Sequence, residues 1–518
     1  MFKANNLLKQ LVYLASPLIL KYLFFFLFVD WDVFNIEDIK EDIIFFILIA
    51  VLVHSKFFQK SFLKNILLVV YILYFILETT SYLAVSSTFS SSYMYLLLES
   101  GSEELKEFAG GYFNWTVFLS FFLFVILFFI LRKKEYTIKS KYPTVIAFAC
   151  AGIILITLKF TGLIESNAYH NIVRGTYGYY SLQKNMKLTP SINLNDITIS
   201  SENEVLVLVL GESTNRSHMQ LYGYNRETTP NLSKRTDDLF VYDNVISTEV
   251  FTLKAVPKIL TSLNLKSNND DLVDIVQVLK AAGYNTYWLS NQRPISYHDN
   301  AISEIASGSK YFKFYNHLID RDTKVLDEEM LPDYRDILDE PGKKLIVLRL
   351  IGTHFDYDNR YPKTFDNFSK SNVSKSQKLR NEYDNAILYN DFIVNEIIEY
   401  LNKKNLKSAL VYLSDHGENI YDYGTDFFGR SEEILTPNMF EIPFLLWTSK
   451  DFEKPLDFEY KRNRPFTAEF TYDSLGHIFG VLHSSMNTEK SIFSNRYKED
   501  KRIVVGNRDF DTYFKTKE

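Results

Sequence analysis

Two patterns of apolar residues divide the chain. Its first third contains long apolar runs, whereas the remainder contains short apolar runs that alternate with amphipathic stretches. Most of the long runs approach the ~20 residues that a membrane-spanning helix needs. We therefore predict an α-helical membrane domain with five transmembrane helices over residues 1–162. The five long runs lie at about 10–29, 42–54, 62–85, 115–131 and 144–162.

Charges in the segments between these runs indicate the orientation of the chain in the membrane. Lysine and arginine cluster before the first run, between the second and third, and between the fourth and fifth. By contrast, residues 30–42 are acidic, and Lys106 is the one cation in 86–114. Cytoplasmic loops carry the excess of Lys and Arg. The N-terminus is therefore expected in the cytoplasm, and everything after residue 162 outside, in the periplasm if the membrane is a bacterial inner membrane.

The rest of the chain has the pattern of a linker followed by an α/β domain. Residues 163–203 mix polar and aromatic side chains and end in a stretch rich in Pro, Ser and Asn, which predicts a linker along the membrane surface. Residues 204–518 alternate strand and helix patterns, which is typical of a domain around a mostly parallel sheet. Strands are predicted at 205–210, 284–289, 345–351, 409–413 and 440–447, and helices near 271–282 and 379–402.

Polar or ionisable residues follow four of these strands, at the edge where such sheets bind ligands. Glu212 follows the first strand, Asn291 the second and His354 the third, and the adjacent pair Asp415 and His416 follows the fourth. One interpretation is that these side chains cap strand ends by bonding to loop amides. The other is a set of oxygen and nitrogen ligands suited to zinc, and the repetition of the pattern favours it.

Charge and cysteine content narrow the classes of partner and of metal site. The 518 residues carry a formal net charge of −6, which argues against a nucleic-acid partner. Cys150 is the single cysteine, so no intramolecular disulfide is possible. A zinc site in residues 204–518 must therefore use carboxylate, imidazole or hydroxyl ligands.

A nucleophile is expected in residues 245–260, which have the pattern of a loop followed by a helix. Thr252 would lie at the start of that helix, where amide hydrogens and the helix dipole favour an oxyanion. The alternative interpretation is a structural N-cap, because threonine is common at that position. Sequence pattern alone leaves Thr248 and Ser247 as further candidates.

Three motifs resemble those of a known family. The run over residues 211–230, with Gly-Glu followed by Tyr-Gly-Tyr-x-Arg-x-Thr-x-Pro, closely resembles the signature of the bacterial phosphoethanolamine transferases. These are inner-membrane members of the alkaline phosphatase/sulfatase superfamily. The segments 414–418 and 383–391 resemble further family motifs in the expected order. The resemblance covers the whole chain and implies a sulfatase-like catalytic domain over 204–518.

The functional residues of that family match positions of this chain one at a time. The family's nucleophilic threonine stands five residues before a proline, which selects Thr252 ahead of Pro257. Its phosphate-contacting histidine matches His354, which is therefore expected to be catalytic. The resemblance assigns zinc binding to Glu212, Thr252, Asp415 and His416, and we assign substrate contacts to Asn291 and Glu104.

The implied reaction is a zinc-dependent transfer of phosphoethanolamine from phosphatidylethanolamine to a lipopolysaccharide, at a core sugar or lipid A, or to another envelope glycan. Thr252 would carry the group, and His354 would stabilise the non-bridging oxygens or protonate the leaving oxygen. A phosphoglycerol transferase or phosphodiesterase of the same superfamily is the nearest alternative. From another class, the alternative is a membrane-anchored binding or sensor protein. A monomer in the bacterial inner membrane is expected.

Three features depart from the lipid A-modifying members of the family. Residues 424–430 contain no histidine, although many of those members hold one there. A Thr-Asn-x-x-Glu-like element appears only in altered form at 100–104, and no disulfides are possible. The same donor chemistry is therefore expected with a different acceptor, a core sugar or another surface glycan.

Overall fold

The computed structural model divides the chain into two compact units, residues 1–180 and 181–518. Glu104 and the whole of 100–104 fall outside the residues that it describes. The described residues are 2–29, 36–85, 88–99, 113–134, 144–185, 188–189, 192–235, 237–264, 271–292, 301–315, 325–423, 427–432 and 434–515.

The first unit is built from helices, and each of the five predicted apolar runs is helical over most of its described residues. Two of the helices are amphipathic rather than uniformly apolar, the first and the last. In chain order the helices are α1 Phe2–Leu14, α2 Ser16–Phe28, α3 Ile36–Val53, α4 Ser61–Val85, α5 Ser91–Glu99, α6 Trp115–Arg132, α7 Thr144–Phe160 and α8 Ala168–Asn185.

The helices of the described residues provide two or three candidate membrane spans by length and composition. Ser61–Ala84 and Trp115–Arg132 qualify singly, and α1 with α2 qualifies if this pair, bent by 47°, forms one span. α7 is apolar but has only 17 residues. α3 carries acidic residues in its first turns, which lowers its apolar character. The expected number of five spans therefore stays a prediction.

A buried polar cluster connects α2, α3 and α4 within the first unit. Nζ of Lys21 on α2 donates to Asp42 on α3 at 2.7 Å and lies 3.7 Å from Glu78 on α4. The hydroxyl of Tyr74 donates to the second oxygen of Asp42 at 3.0 Å. Because a buried charge without a partner is costly, these pairs favour one arrangement of the three helices.

The second unit is built around a seven-stranded mixed sheet. The strands are β1 Val205–Gly211, β2 Leu239–Tyr242, β3 Asn285–Ser290, β4 Tyr311–Phe314, β5 Lys344–Arg349, β6 Ser408–Ser414 and β7 Phe444–Thr448. Their order across this sheet is β2-β7-β6-β1-β5-β3-β4.

Five neighbouring strands of this sheet, from β6 to β4, pair in parallel, and β7 pairs antiparallel with both β6 and β2. The strand predicted at 440–447 is observed as β7, so the sheet is mixed at this edge. No strand was predicted at β2 or β4, because runs of four residues are too short to show a clear pattern. β1 lies in the middle with all seven residues buried, as its aliphatic sequence indicates.

Helices cover the sheet and complete the core of the second unit. The helices are α9 Thr252–Leu260, α10 Ile275–Ala281, α11 Ala301–Ser307, α12 Leu331–Asp339, α13 Lys375–Lys403, α14 Thr471–Phe479 and α15 Phe510–Lys515. α12 packs against α13, and α9 packs against α11 and α14. The helix predicted near 379–402 is observed as the longer α13, and the helix predicted near 271–282 is observed as α10.

The end of the predicted linker is part of the second unit. Ile197–Ile199 forms a short antiparallel ladder with Val481–His483. The structure divides the chain after residue 180, which lies within the predicted linker 163–203. The predicted domain limits therefore remain predictions.

Candidate active site

The carboxyl ends of β1 and β6 bring two predicted ligands side by side. These strands are parallel neighbours in which Gly211 pairs with Ser414. Glu212 and Asp415 each follow directly, and the amide of Asp415 donates to the carbonyl oxygen of Gly211 at 3.2 Å. Two carboxylates from distant parts of the sequence therefore meet at one edge of the sheet, as expected from their positions after parallel strands.

Glu212, Asp415 and His416 form a buried cluster that could hold a metal ion. Each residue offers one ligand atom, and these atoms all lie within 4.8 Å of one another. Nε2 of His416 lies 3.1 Å from Oε1 of Glu212 and 3.5 Å from Oδ2 of Asp415. All three side chains are almost completely shielded from solvent.

The donor atoms of this cluster fit zinc. Ligands at about 2.0 Å from a tetrahedral zinc ion lie about 3.3 Å apart, close to the spacing observed. Oδ2 of Asp415 is buried and has no hydrogen-bond partner within the described part of the chain. Nδ1 of His416 donates to the carbonyl oxygen of Gly417 at 2.9 Å, so Nε2 is the nitrogen that faces the cluster. Nε2 and Oε1 of Glu212 are 3.1 Å apart, a spacing that a shared metal ion fits.

Thr252 brings a hydroxyl to the same point. It is the first residue of α9, and its Oγ1 donates to the Glu212 carboxylate, with both oxygens at 3.0 Å. The same atom lies 3.2 Å from Nε2 of His416. Phe251 occupies the N-cap position, so Thr252 does not act as the structural N-cap of the alternative interpretation.

Ser247, one of the other candidate nucleophiles, is engaged in a local turn. Its hydroxyl donates to the carbonyl oxygen of Glu249 at 2.9 Å. Of the three candidates, Thr252 is the one for which the structure gives a contact with the metal-binding cluster.

Two further side chains, for which no role was predicted, also reach the cluster. Nη1 of Arg430 donates to Nε2 of His416 at 2.6 Å and lies 3.3 Å from Oε1 of Glu212. Nε2 of Gln292 donates to Oε2 of Glu212 at 3.3 Å. The segment noted for its missing histidine thus supplies an arginine. Gln292 follows Asn291 in the polar run after a predicted strand, so the strand-end pattern could have found it. A single Arg in a loop has no distinctive spacing, so sequence offered no signal for Arg430.

The charges of the site shift the pKa values of its acids in opposite directions. Burial raises the pKa of Glu212, but the hydrogen bond and charge of His416, with smaller contributions from His354 and Arg430, bring it well below its usual range. Burial and the neighbouring Glu212 charge raise the pKa of Asp415 to about 6. Two carboxylates this close repel one another, and a divalent cation would relieve that repulsion.

His354 stands on a loop that packs directly against Glu212. Asp327 holds this loop by accepting hydrogen bonds from the amides of Ile351 at 2.8 Å and Gly352 at 3.0 Å. Gly352 allows the close approach, because a Cβ there would lie 3.0 Å from the carbonyl oxygen of Glu212. Burial lowers the pKa of His354 to about 3, so its ring is neutral at neutral pH.

Asn291, predicted to contact the substrate, has protein partners instead. Its amide nitrogen donates to Oδ1 of Asp327 at 2.9 Å and to the carbonyl oxygen of Val325 at 3.1 Å. Its neighbour Gln292 is the residue that reaches Glu212. The other predicted substrate contact, Glu104, lies outside the described residues. Both roles stay predictions.

The Tyr-Gly-Tyr-x-Arg signature has a structural role in this fold. Tyr224, Arg226 and His218 all bond to Asp384 on α13, at 2.9, 2.6 and 2.7 Å respectively. Tyr383, the preceding residue on α13, donates from its hydroxyl to the carbonyl oxygen of Ser213 at 2.7 Å. The signature therefore anchors the segment after Glu212 to the longest helix of the unit.

Comparison with known proteins gives a consistent family. The Sulfatase family model matches residues 204–481. The phosphoethanolamine transferase EptC of Escherichia coli K12 is 29% identical over 470 residues, which cover 82% of this chain and 81% of EptC. The phosphoethanolamine transferase EptA of Helicobacter pylori is 31% identical over 264 residues, or 48% of each chain.

Solved structures agree with this result. The crystal structure of the C-terminal periplasmic domain of E. coli EptC in complex with Zn matches with a TM-score of 0.58 and 31% identity, over 63% of this chain and 97% of that domain. The integral membrane protein EptA of Neisseria meningitidis matches with a TM-score of 0.67 over 93% of this chain and 97% of its own. At 20% identity, the second match shows a shared fold that includes the helical first unit.

The family model spans more than half of the chain, and the EptC domain is matched over nearly its whole length. The metal-binding cluster and Thr252 lie within the matched residues 204–481. The chain therefore belongs to the sulfatase family and, within it, to the phosphoethanolamine transferases.

Proposed function

We propose that this protein transfers phosphoethanolamine from phosphatidylethanolamine to a core sugar of lipopolysaccharide or another envelope glycan, through a covalent intermediate on Thr252. The supporting observation is the position of Thr252 Oγ1, 3.0 Å from both oxygens of Glu212 and 3.2 Å from Nε2 of His416. A hydroxyl that contacts two zinc-type ligands is placed for nucleophilic catalysis. The Zn complex of the related EptC domain supports zinc as the metal.

Glu212, Asp415 and His416 would hold the zinc ion, with Thr252 as the fourth ligand. Zinc, when bound, would supply a Lewis acid that lowers the pKa of the hydroxyl and offsets charge on the phosphoryl group. The hydroxyl of Thr252 is oriented by its hydrogen bonds to Glu212. Its place at the start of α9 adds the positive end of the helix dipole.

In the first step, Oγ1 of Thr252 gives up its proton and forms a bond to phosphorus, and the bond between phosphorus and the diacylglycerol oxygen breaks. The departing diacylglycerol oxygen takes up a proton. In the second step, a hydroxyl of the acceptor attacks the same phosphorus and gives up its proton, and Thr252 regains its hydroxyl. Two displacements at one phosphorus require that donor and acceptor occupy the site in turn.

We assign proton transfer in the second step to His354. Its Nδ1 donates to the carbonyl oxygen of Phe355 at 2.6 Å, which leaves Nε2 as the acceptor of the neutral ring. Burial lowers the pKa of His354 to about 3, so the ring is neutral but weakly basic, and it would need a nearby negative charge to take the proton of an acceptor hydroxyl. The charge of Glu212 would stabilise the imidazolium that forms.

The helical first unit and the charge pattern of its loops support a multi-pass protein of the bacterial inner membrane. We place the N-terminus in the cytoplasm and the catalytic unit in the periplasm, because the basic loops alternate with acidic or neutral ones. In that orientation the enzyme works as a monomer on a lipid donor that shares its membrane.

Mass spectrometry of the protein purified from membranes tests this function. The tryptic peptide that ends at Lys254 should carry phosphoethanolamine, and fragmentation should place it on Thr252. The peptide from a Thr252→Ala variant serves as the control and should be unmodified. A phosphoglycerol adduct would contradict the assigned donor and favour the alternative phosphoglycerol transferase. An adduct on Thr248 or Ser247 would show that one of these residues, and not Thr252, is the nucleophile.

A further inference from the structure

Arg430 lies among the atoms that would hold the metal. Its side chain is 9% exposed, and Nη1 is 2.6 Å from Nε2 of His416 and 3.3 Å from Oε1 of Glu212. A guanidinium group has five N–H donors, no acceptor, and does not deprotonate in proteins. Arg430 therefore cannot itself be a ligand of a metal ion. It is a fixed positive charge within contact distance of the ligands.

Nε2 of His416 cannot serve a metal ion and accept a hydrogen bond from Arg430 at the same time. When the metal takes this nitrogen, Nη1 keeps Oε1 of Glu212 at 3.3 Å as an acceptor, and the hydrogen that pointed to His416 is released. The buried carboxylate of Glu418 faces the other side of the guanidinium as an ion-pair partner, with its Oε1 3.9 Å from Nε of Arg430. The released donor would then point into the space next to Thr252 and the metal.

The backbone around Arg430 also directs it into the site. The two preceding residues, Phe428–Gly429, form a short antiparallel ladder with Asn419–Ile420. That ladder follows the loop carrying Asp415, His416 and Glu418, so the segment with Arg430 folds back over the ligands. An arginine on a paired, buried segment keeps less conformational freedom than one on an open loop.

We propose that Arg430 binds the non-bridging oxygens of the phosphoryl group during transfer, an inference that rests on the proposed function. A planar guanidinium with paired donors matches phosphoryl oxygens in geometry and charge. While the bond from Thr252 to phosphorus forms and the donor ester bond breaks, Arg430 stabilises charge on these oxygens and transfers no proton. Arg430 is thus a catalytic residue, and Glu418 is the positioning residue that holds it.

The competing explanation is that Arg430 only balances the charges of Glu212 and Glu418. A counter-ion would be needed for stability, because it offsets the buried carboxylates, but it would not change the affinity for a phosphate group. A phosphate-binding arginine would change that affinity while zinc content stays the same. The affinity of the protein for phosphate therefore distinguishes the two roles, and it can be measured without turnover.

The test uses the full chain in detergent, loaded with zinc, as wild type and as Arg430→Ala, Arg430→Lys and Arg462→Ala variants. Arg462 is a matched control because it is about half exposed and pairs with Asp243 rather than with the metal ligands. The measurements are zinc content, melting temperature, and the Kd of inorganic phosphate by ³¹P NMR. We expect Arg430→Ala to keep its zinc and to raise the Kd at least about tenfold. Arg462→Ala should match wild type.

Kinetics provide a second measurement. The kcat of Arg430→Ala should fall about 100-fold or more, because a donor to the transition state is lost. Added guanidinium should restore part of the activity to Arg430→Ala, and Arg430→Lys should keep an intermediate kcat. For Glu418→Gln we expect a lower kcat with a smaller change in the phosphate Kd.

Wild-type phosphate affinity in Arg430→Ala would overturn the proposal, and so would loss of zinc without loss of phosphate affinity. If Arg430→Ala does not fold, the phosphate Kd of Arg430→Lys decides, since the lysine keeps the charge but loses the paired donors. An unchanged Kd in that variant would also contradict the proposal. A different result would contradict the proposed function itself, namely the absence of phosphoethanolamine on Thr252 in the wild-type protein.

Discussion

The hydroxyl of Thr252 and the carboxylate of Glu212 are separated by 40 positions in sequence and by 3.0 Å in the fold. Replacing Thr252 with alanine removes one hydroxyl at the start of α9 and should cost about 1 kcal/mol of stability. We expect Thr252→Ala to keep its zinc and its fold but to lose transfer, because the covalent carrier is gone. Metal analysis, melting temperature and a transfer assay in proteoliposomes would show this.

Thr252→Ser is the matched control, since it keeps the hydroxyl and should keep measurable activity. Full transfer by Thr252→Ala would contradict the assignment and direct attention to Thr248 or Ser247.

The two carboxylates of the cluster can be tested by nearly isosteric changes. Glu212→Gln and Asp415→Asn each remove an anionic ligand, and zinc affinity depends on deprotonated ligands. The zinc content of the purified protein should fall well below one ion per chain, and transfer should fall with it. Elemental analysis of both variants, with Asp243→Asn as a surface control, measures this. Stoichiometric zinc and normal turnover in both would mean that these carboxylates only cap strand ends.

Among single residues, chemistry at strand ends was predictable and chemistry on loops was not. Glu212, Asp415 and His416 follow apolar strands directly, so their positions in the sheet follow from their positions in the sequence. Arg430 reaches the same site from a loop, whose path depends on contacts with the rest of the unit.

At the scale of elements, the signature segment after β1 is attached to α13 through a buried ion-pair network. His218 lies 2.7 Å from Asp384 and 3.2 Å from Asp422. Burial alone would lower the pKa of His218, but hydrogen bonds and charges from these two aspartates raise it to about 9. The folded protein therefore holds this proton more tightly than the unfolded chain, where an ordinary histidine has a pKa of about 6.5.

This pKa predicts a loss of stability in alkali. A raised pKa stabilises the fold fully below pH 6.5, and the contribution disappears as pH rises through about 9. The raised pKa of His218 contributes on the order of 3 kcal/mol to the free energy of unfolding. We expect the melting temperature of the chain in detergent, followed by tryptophan fluorescence, to fall over this range. The fall should be smaller in a His218→Gln variant.

His483→Gln is the control for this experiment, because burial lowers the pKa of His483 and leaves it neutral above pH 6.5 in both states. It should show the wild-type slope. Equal slopes in His218→Gln and wild type would show that the His218 network does not control alkaline stability.

The loop after β6 is packed so closely that it requires a glycine at position 417. A Cβ there would lie 1.9 Å from the carbonyl oxygen of Asn438. We expect Gly417→Ala to destabilise the protein by at least about 3 kcal/mol, and to displace His416 next to it. Thermal unfolding and zinc content measure both effects. Gly308→Ala, whose nearest atom would be at 3.2 Å, should have a much smaller effect, and a similar loss in both variants would contradict the steric explanation.

At the scale of the molecule, a helical unit whose described residues provide two or three candidate membrane spans precedes a unit with a candidate metal site at one sheet edge. The family's metal and nucleophile positions are all matched, whereas residues 424–430 hold no histidine and the element at 100–104 is altered. The resemblance implies that both stretches help to form the acceptor site. Deleting the protein should therefore remove phosphoethanolamine from a core sugar or another envelope glycan and leave lipid A phosphates largely unchanged.

Mass spectra of separated lipid A and core from wild-type and deletion cells measure this outcome. Polymyxin susceptibility should change little, because it depends mainly on charge at the lipid A phosphates. Loss of phosphoethanolamine from lipid A in the deletion strain would show that the acceptor is lipid A. Complementation with Thr252→Ala is the control, since it should behave as the deletion does.

Sequence by itself determined the α/β class of residues 204–518, the central position of β1 and the convergence of Glu212, Asp415 and His416. These features follow from local patterns, since a run of aliphatic residues predicts a buried strand, and parallel strands end at one edge. Resemblance to a family then selected Thr252 among three hydroxyl residues, and the structure brings this one to the cluster.

Tertiary structure alone decided what depends on contacts between distant segments. It turned Asn291 toward Asp327, made β7 antiparallel, and anchored the signature on α13. It also placed Arg430 beside the candidate metal ligands through a loop whose path no local pattern specifies. The physical reason is the same in each case. Periodicity fixes which residues are buried, whereas the partner of a buried polar group is set by whichever distant atoms satisfy its charge and hydrogen bonds.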